Sequence, residues 1–266
     1  MGFLRDIAAE IRADIARPQY LDGTERPVEV PHRPSLREKI LSAGAAGALV
    51  VEFKRRSPGA SDPKLPSRTA EEFVRATESA GVAGYSCLAT GPRFEGSPRD
   101  VAQLARATEA PVLFKDFVLG TEQLDAAVRA GASAVLLIAR LEAEGLLDRP
   151  LAELADQAHA RGLEVLLEMH ARSELRRTAG VAADVYGVNS RDLDTLRIER
   201  RTAAATIRAA KDLRPLLGLS GVETPADAEW FWALGTDGIL VGTAVARARD
   251  PSSFLRSLRR GVRGEA

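Results

Sequence analysis

Glu52 and Lys54 stand two apart in the run VVEFKRRSPG, so on an extended chain they project to the same face, a carboxylate beside an ammonium. Lys115 closes the run VLFK, Glu168 the run VLLE and Asn189 the run YGVN, with Arg191 two residues beyond. Two lysines, two glutamates and an amide converging on one place would form acids and bases that perturb one another, suited to proton transfer on a small substrate. Any one of these charges could simply be solvated at the end of a strand; four such ends are hard to explain that way. A second set suits an anion. Ser220-Gly221 and Gly242-Thr243 are small turns whose backbone N–H groups can approach a phosphate, and Ser57 can add a hydroxyl. Thr224-Pro225-Ala226-Asp227 reads as a helix start, with a capping hydroxyl and a proline in the first turn.

These residues need a scaffold that gathers chain-distant strand ends. From Ala48 onward a short apolar run, a Gly/Ser/Pro/Asp junction and an amphipathic stretch rich in Ala, Glu and Arg recur. Strands are expected at 48–53, 83–89, 111–115, 133–138, 163–168, 182–188, 214–219 and 237–241. Helices are expected at 69–80, 98–107, 121–130, 151–160, 173–179 and 202–210. Gly81, Gly131, Gly162, Gly180 and Gly235 fall where a left-handed helix cap is wanted. Eight strand–helix units without a long linker predict a closed (β/α)8 barrel, one domain over 1–266, with an open doubly wound sheet as the alternative. Residues 1–47 form an N-terminal helical extension of one or two helices, with a connector rich in Pro and charge at 20–34. In such a barrel the chemistry sits at the C-terminal ends of the strands, where the polar residues above fall, and phosphate is held after strands seven and eight.

Composition narrows the partners. The 266 residues carry 37 Lys and Arg against 37 Asp and Glu, a formal net charge of zero, which gives no global attraction for nucleic acid or an anionic membrane. A small molecule is the expected partner. One cysteine, Cys87, excludes an internal disulfide, and no Cys/His cluster has the spacing of a structural zinc site. With no long apolar stretch near the start, a cytoplasmic setting is expected. Cys87 reads as a small buried hydrophobe, His170 as a loop residue, and His32 and His159 as histidines without convergent partners. Arg256 to Arg263 reads as a solvated final helix. Trp230 and Trp232 cannot both face the core, a faint hint of a contact surface, so a monomer or weak homodimer is expected.

The run Glu52-Phe-Lys-Arg-Arg-Ser-Pro58 resembles the first-strand signature of the indole-3-glycerol phosphate synthases. Phe94-Glu-Gly-Ser97, Pro111-Val-Leu-Phe-Lys-Asp-Phe117, Ala134-Val-Leu-Leu-Ile138, Asn189-Ser-Arg-Asp-Leu193 and Leu240-Val-Gly242 resemble the family's motifs at strands two, three, four, six and eight. The resemblance implies a substrate of anthranilate joined to a deoxyribulose phosphate, 1-(2-carboxyphenylamino)-1-deoxyribulose 5-phosphate. Its ring closes with loss of carbon dioxide and water to give indole-3-glycerol phosphate, a step of tryptophan biosynthesis. It implies no cofactor and no metal. It makes Lys115 the general acid, Lys54 the partner of the anthranilate carboxylate, Glu168 the acid or base of the dehydration and Glu52 a group that tunes the lysines or shares that role. Asn189 would bind a substrate hydroxyl, Arg191 would lie near the anthranilate, and Phe94, Leu113 and Leu137 would contact its ring.

Two positions depart from the family's pattern. Leu219 stands where the strand-seven motif carries Glu before Ser-Gly, and Leu88-Ala89-Thr90 replaces Leu-Thr-Glu after strand two. Lost negative charge beside two lysines is expected to favour a more anionic ligand or to lower the lysines' pKa values. This opens two alternatives, a paralogue acting on a modified anthranilate adduct and a catalytically lapsed barrel that only binds a sugar phosphate. A phosphoribosylanthranilate isomerase would need a Cys–Asp pair at strand ends, whereas Cys87 lies inside strand two.

Overall fold

The computed structural model describes residues 2–24, 27–28, 34–58 and 64–261; His32, part of the connector and the last residues of the Arg run lie outside them. Eight strands form one closed parallel barrel in sequence order: β1 Ala48–Phe53, β2 Gly84–Leu88, β3 Val112–Lys115, β4 Ala134–Ile138, β5 Glu164–Met169, β6 Val185–Asn189, β7 Leu216–Leu219 and β8 Gly238–Val241. β8 pairs with β1, so no open edge remains and the doubly wound alternative is excluded.

Alternation along each strand divides the core into two layers. Ala48, Val50, Leu113, Leu136, Leu166, Leu217 and Leu240 fill the barrel interior, while Leu49, Val51, Phe114, Val135, Leu137 and Ile239 face the surrounding helices. Both faces are buried, which is why the strands read as unbroken apolar runs. The five expected cap glycines all have positive φ, between 69° and 90°.

The extension holds both ends of the barrel. Helix α1 (Phe3–Ile15) buries Leu4, Ile7, Ala8 and Ile11, a stripe at helical spacing that joins the interior cluster beside Phe117, Leu119 and Leu141. Arg93 pairs with Glu10 and Arg5 with Glu144 around it. Such exposed pairs contribute about 0–1 kcal/mol each, against roughly 1.5–3 kcal/mol for each large buried side chain, so the apolar stripe is what docks the helix. Helix α2 (Leu36–Ser42) closes the opposite end, its first turn tied to Glu164 at the start of β5 by the Leu36 amide at 2.7 Å and the Ser35 hydroxyl at 2.5 Å.

Several smaller expectations are corrected. His159 has a partner, its Nε2 lying 2.8 Å from Asp184 Oδ2. The final helix, Pro251–Ser257, includes Arg256 but ends before Arg259 and Arg260, which turn back to donate to the carbonyls of Gly47, Ala80, Gly81 and Thr236. Those two arginines seal strand and helix ends. As expected, only one of the two tryptophans is fully buried: Trp232 donates to the Leu258 carbonyl, and Trp230 is half-buried under the Arg200 guanidinium. Cys87 is fully buried, as expected. Among the described residues no helix is long and apolar enough to cross a membrane.

Candidate active site

The C-terminal ends of the strands surround an open cleft of about 970 Å³, solvent at its mouth included. Glu52, Lys54, Ser57, Phe94, Lys115, Glu168, Asn189, Arg191, Ser220, Gly221, Gly242 and Thr243 all line it. Twelve of the fourteen expected site residues therefore meet in one place.

Glu52 lies at its centre, almost fully buried, with Lys54 Nζ 2.6 Å from Oε1 and Lys115 Nζ 3.5 Å from Oε2. Burial acts most strongly on this carboxyl and would push it up, but the two ammonium groups together outweigh that and bring it down to about 2. Lys115 is raised: burial would lower it, and Glu52 with Glu168 more than offsets that. The expectation that losing an acid depresses the lysines is thus corrected for Lys115, because the Glu52 carboxylate still lies against it.

Glu168 is the opposite case. Burial raises its carboxyl, only partly countered by Lys115 and by the Asn189 amide, which donates to Oε1 at 2.9 Å. One carboxylate held charged and one pushed toward protonation, with an ammonium between them, is an arrangement able both to donate and to accept protons. Asn189 Oδ1 accepts the Arg191 amide at 3.0 Å, and the half-buried Arg191 guanidinium donates to the Leu196 carbonyl at 2.6 Å.

The anion-binding turns lie beside these groups. Ser220 and Gly221 both have left-handed backbones, φ 63° and 71°, and Ser190 Oγ donates to the Ser220 carbonyl at 3.0 Å. A Cβ on Gly242 would lie 2.7 Å from Glu52 Oε1 and 3.1 Å from Lys54 Nζ, so only glycine lets this turn close on the charged centre. Ser57 Oγ and Thr243 Oγ1 are 3.2 Å apart. The helix that starts after Thr224 forms as expected, with a full capping box: the Asp227 amide donates to Thr224 Oγ1, and the Asp227 carboxylate accepts the Glu223 and Thr224 amides just before the helix.

Two expected residues do not line the cleft. Leu137 points outward to the helix layer because it is out of phase with Leu136 and Ile138, and Leu113 lies on the inner face but deeper than Lys115, closed over. The apolar wall comes instead from Phe94, Phe117 and Phe3, with ring centroids 6.1 Å apart for Phe94–Phe117 and 6.4 Å for Phe3–Phe117, joined by Leu88, Leu193, Leu196 and Leu240. Phe117 lies two residues past Lys115 in a motif already singled out. Phe3 had no sequence signal, because its place depends on how α1 docks. Of the two departures, Leu219 lines the cleft, whereas Thr90 is buried outside it and donates to Asp116 at 2.6 Å.

Comparison with known proteins agrees with this geometry. Residues 4–258 match the indole-3-glycerol phosphate synthase family. Similar proteins include the indole-3-glycerol phosphate synthases of Exiguobacterium sibiricum, 32% identical over 97% of both chains, and Methanopyrus kandleri, 37% identical over 84% of this chain and 86% of that one. Among solved structures, a thiamine phosphate pyrophosphorylase from Pyrococcus furiosus has a TM-score of 0.59 at 19% identity, covering 84% of this chain and 96% of that one. A tryptophan synthase α subunit from Legionella pneumophila has a TM-score of 0.56 at 15% identity over the same shares. At those identities the solved structures bear on the barrel fold alone. With the family match spanning nearly the whole chain and its motifs lining one cleft, the chain belongs to the indole-3-glycerol phosphate synthase family.

Proposed function

We propose that the cleft binds 1-(2-carboxyphenylamino)-1-deoxyribulose 5-phosphate and converts it to indole-3-glycerol phosphate, carbon dioxide and water. The observation that carries this reading is the Lys54–Glu52–Lys115 array set between an aromatic wall and two small-residue turns. The substrate's phosphate fits the turns at Ser220-Gly221 and Gly242-Thr243, and its anthranilate ring fits the wall of Phe94 and Phe117. Lys54 and Arg191 offer positive charge to the anthranilate carboxylate.

In this reading Lys115 donates a proton to the ketone oxygen while the carboxylate-bearing ring carbon attacks the ketone carbon, so no free alkoxide builds up. The carboxylate then leaves as carbon dioxide, and its bonding electrons restore the aromatic ring. The new hydroxyl takes up a proton and departs as water while the neighbouring carbon of the new ring gives up a proton and the ring double bond forms; Glu168 is the acid or base of that exchange, with Asn189 keeping its carboxyl in place. Glu52 pairs with both lysines and keeps them aimed, and it holds Lys115 in its charged form. Leu219, apolar where the family carries an acid, supports a second reading in which the adduct bears a substituent on the ring.

The test is release of labelled carbon dioxide from substrate labelled in the anthranilate carboxyl. Stoichiometric release with indole-3-glycerol phosphate is expected. Tight binding without release would contradict the reading and favour a barrel that only binds sugar phosphates.

A further inference from the structure

His170 is buried, yet the reaction as described makes no use of it. Its ring joins two strand ends. Nδ1 lies 2.8 Å from the Asn189 backbone carbonyl oxygen, which can only accept, so Nδ1 carries the proton. The Asn189 side chain in turn donates to Glu168 Oε1 at 2.9 Å, and Glu168 lies two residues before His170. The two hydrogen bonds and the short backbone between them close a ring through the ends of β5 and β6.

The histidine itself is held from both sides. Its amide donates to Glu174 Oε2 at 2.7 Å, and its carbonyl accepts from Thr206 Oγ1 at 3.1 Å. Nε2 faces Glu199 Oε2 at 3.4 Å and Asp192 Oδ2 at 3.7 Å. These three side chains have the atom types of a metal site, but the Arg140 guanidinium, 3.9 Å from Asp192 Oδ2 and 3.7 Å from Glu174, already brings a cation to that place. The arrangement therefore reads as an anchor for the ring.

We propose that His170 is a positioning residue for the reaction: it clamps the Asn189 backbone to the end of β5 and so keeps the Asn189 amide on the Glu168 carboxylate. The proposal rests on the roles given above to Glu168 and Asn189. Without the clamp the two strand ends can shift relative to one another, which degrades geometry needed in the chemical step more than it degrades substrate binding.

The experiment is a kinetic cycle of His170→Gln, Asn189→Ala and the double variant, with far-UV circular dichroism and melting curves to establish folding. His170→Gln is expected to lower kcat about tenfold with KM changed less than about threefold. His170→Asn, whose amide can still reach the Asn189 carbonyl, is expected to recover most of that loss. In the Asn189→Ala background, His170→Gln is expected to have little further effect, because the group through which it acts is gone. A merely structural role would give the same loss in both backgrounds and would overturn the proposal, as would parental kcat in His170→Gln. Should that variant not fold, His170→Ser, too short to reach the carbonyl, enters the same cycle with the same two outcomes. Asn189→Ala with parental turnover would instead bring down the site assignment itself, whatever the histidine variants do.

Discussion

Glu52 faces two ammonium groups with one carboxylate, and this imbalance sets the chemistry of the cleft. The Glu52 carboxyl, held at about 2, stays charged throughout the working pH range, so Lys54 and Lys115 always have their counter-ion. Lys115→Ala removes the proposed proton donor and is expected to lower turnover about 10²- to 10⁴-fold with the fold intact, checked by steady-state kinetics beside a melting curve. Leu219 is the informative departure. It sits in the cleft, 2% exposed, where relatives are expected to carry a glutamate. If it marks a lost acid–base group, Leu219→Glu raises kcat on the unsubstituted adduct by about tenfold or more; a fall in kcat would mark Leu219 as part of a pocket shaped for a ring-substituted adduct. At this scale the charged residues were legible because polar groups at strand ends of a parallel barrel have few reasons to be there. Motif position alone points to Leu113 and Leu137, and depth in the interior for Leu113 and strand phase for Leu137 keep them from the cleft.

The strand-to-helix turns do the positioning. Gly242 approaches Glu52 so closely that a methyl group would meet Oε1 at 2.7 Å, an oxygen already pinned by Lys54 at 2.6 Å. Gly242→Ala must therefore displace either the turn or the carboxylate, and a fall of about 10- to 100-fold in kcat/KM is expected. Unchanged kinetics would show that the turn is not fitted to the charged centre. The turn after β7 shows a limit of sequence reasoning. A capping hydroxyl and a first-turn proline mark a helix start correctly, but they do not show that the Asp227 carboxylate will also gather the Glu223 and Thr224 amides just before it. The contacts of His159, Arg259 and Arg260 are hidden in the sequence for a related reason: their partners, Asp184 and the carbonyls of Gly47, Ala80, Gly81 and Thr236, are remote in sequence and adjacent only once the barrel closes.

At the scale of the whole molecule, closure into eight strands was legible because each strand–helix unit repeats the same pattern and no linker interrupts it. What α1 does was not legible: an amphipathic helix announces that it docks, but not that Phe3 will join the wall of the cleft. The active site also bears on stability. Glu168 has its carboxyl raised by burial, so the folded state favours its protonated form; the associated stability is present below the unfolded pKa and lost as pH rises through the folded one. Glu168→Gln mimics the protonated acid and is expected to raise Tm at pH 7 by about 2 °C or more while lowering turnover, with the gain shrinking as pH falls. An equal gain at all pH values would assign it to packing.

Ring closure in this cleft is proposed to proceed with Lys115 as its acid. It is tested most directly by following indole fluorescence as the purified protein acts on 1-(2-carboxyphenylamino)-1-deoxyribulose 5-phosphate, with Lys115→Ala in parallel. Indole-3-glycerol phosphate formed by the parent and reduced at least about 10²-fold in the variant is the predicted result. No product from a folded parent that binds the substrate, or equal product from both proteins, would contradict it.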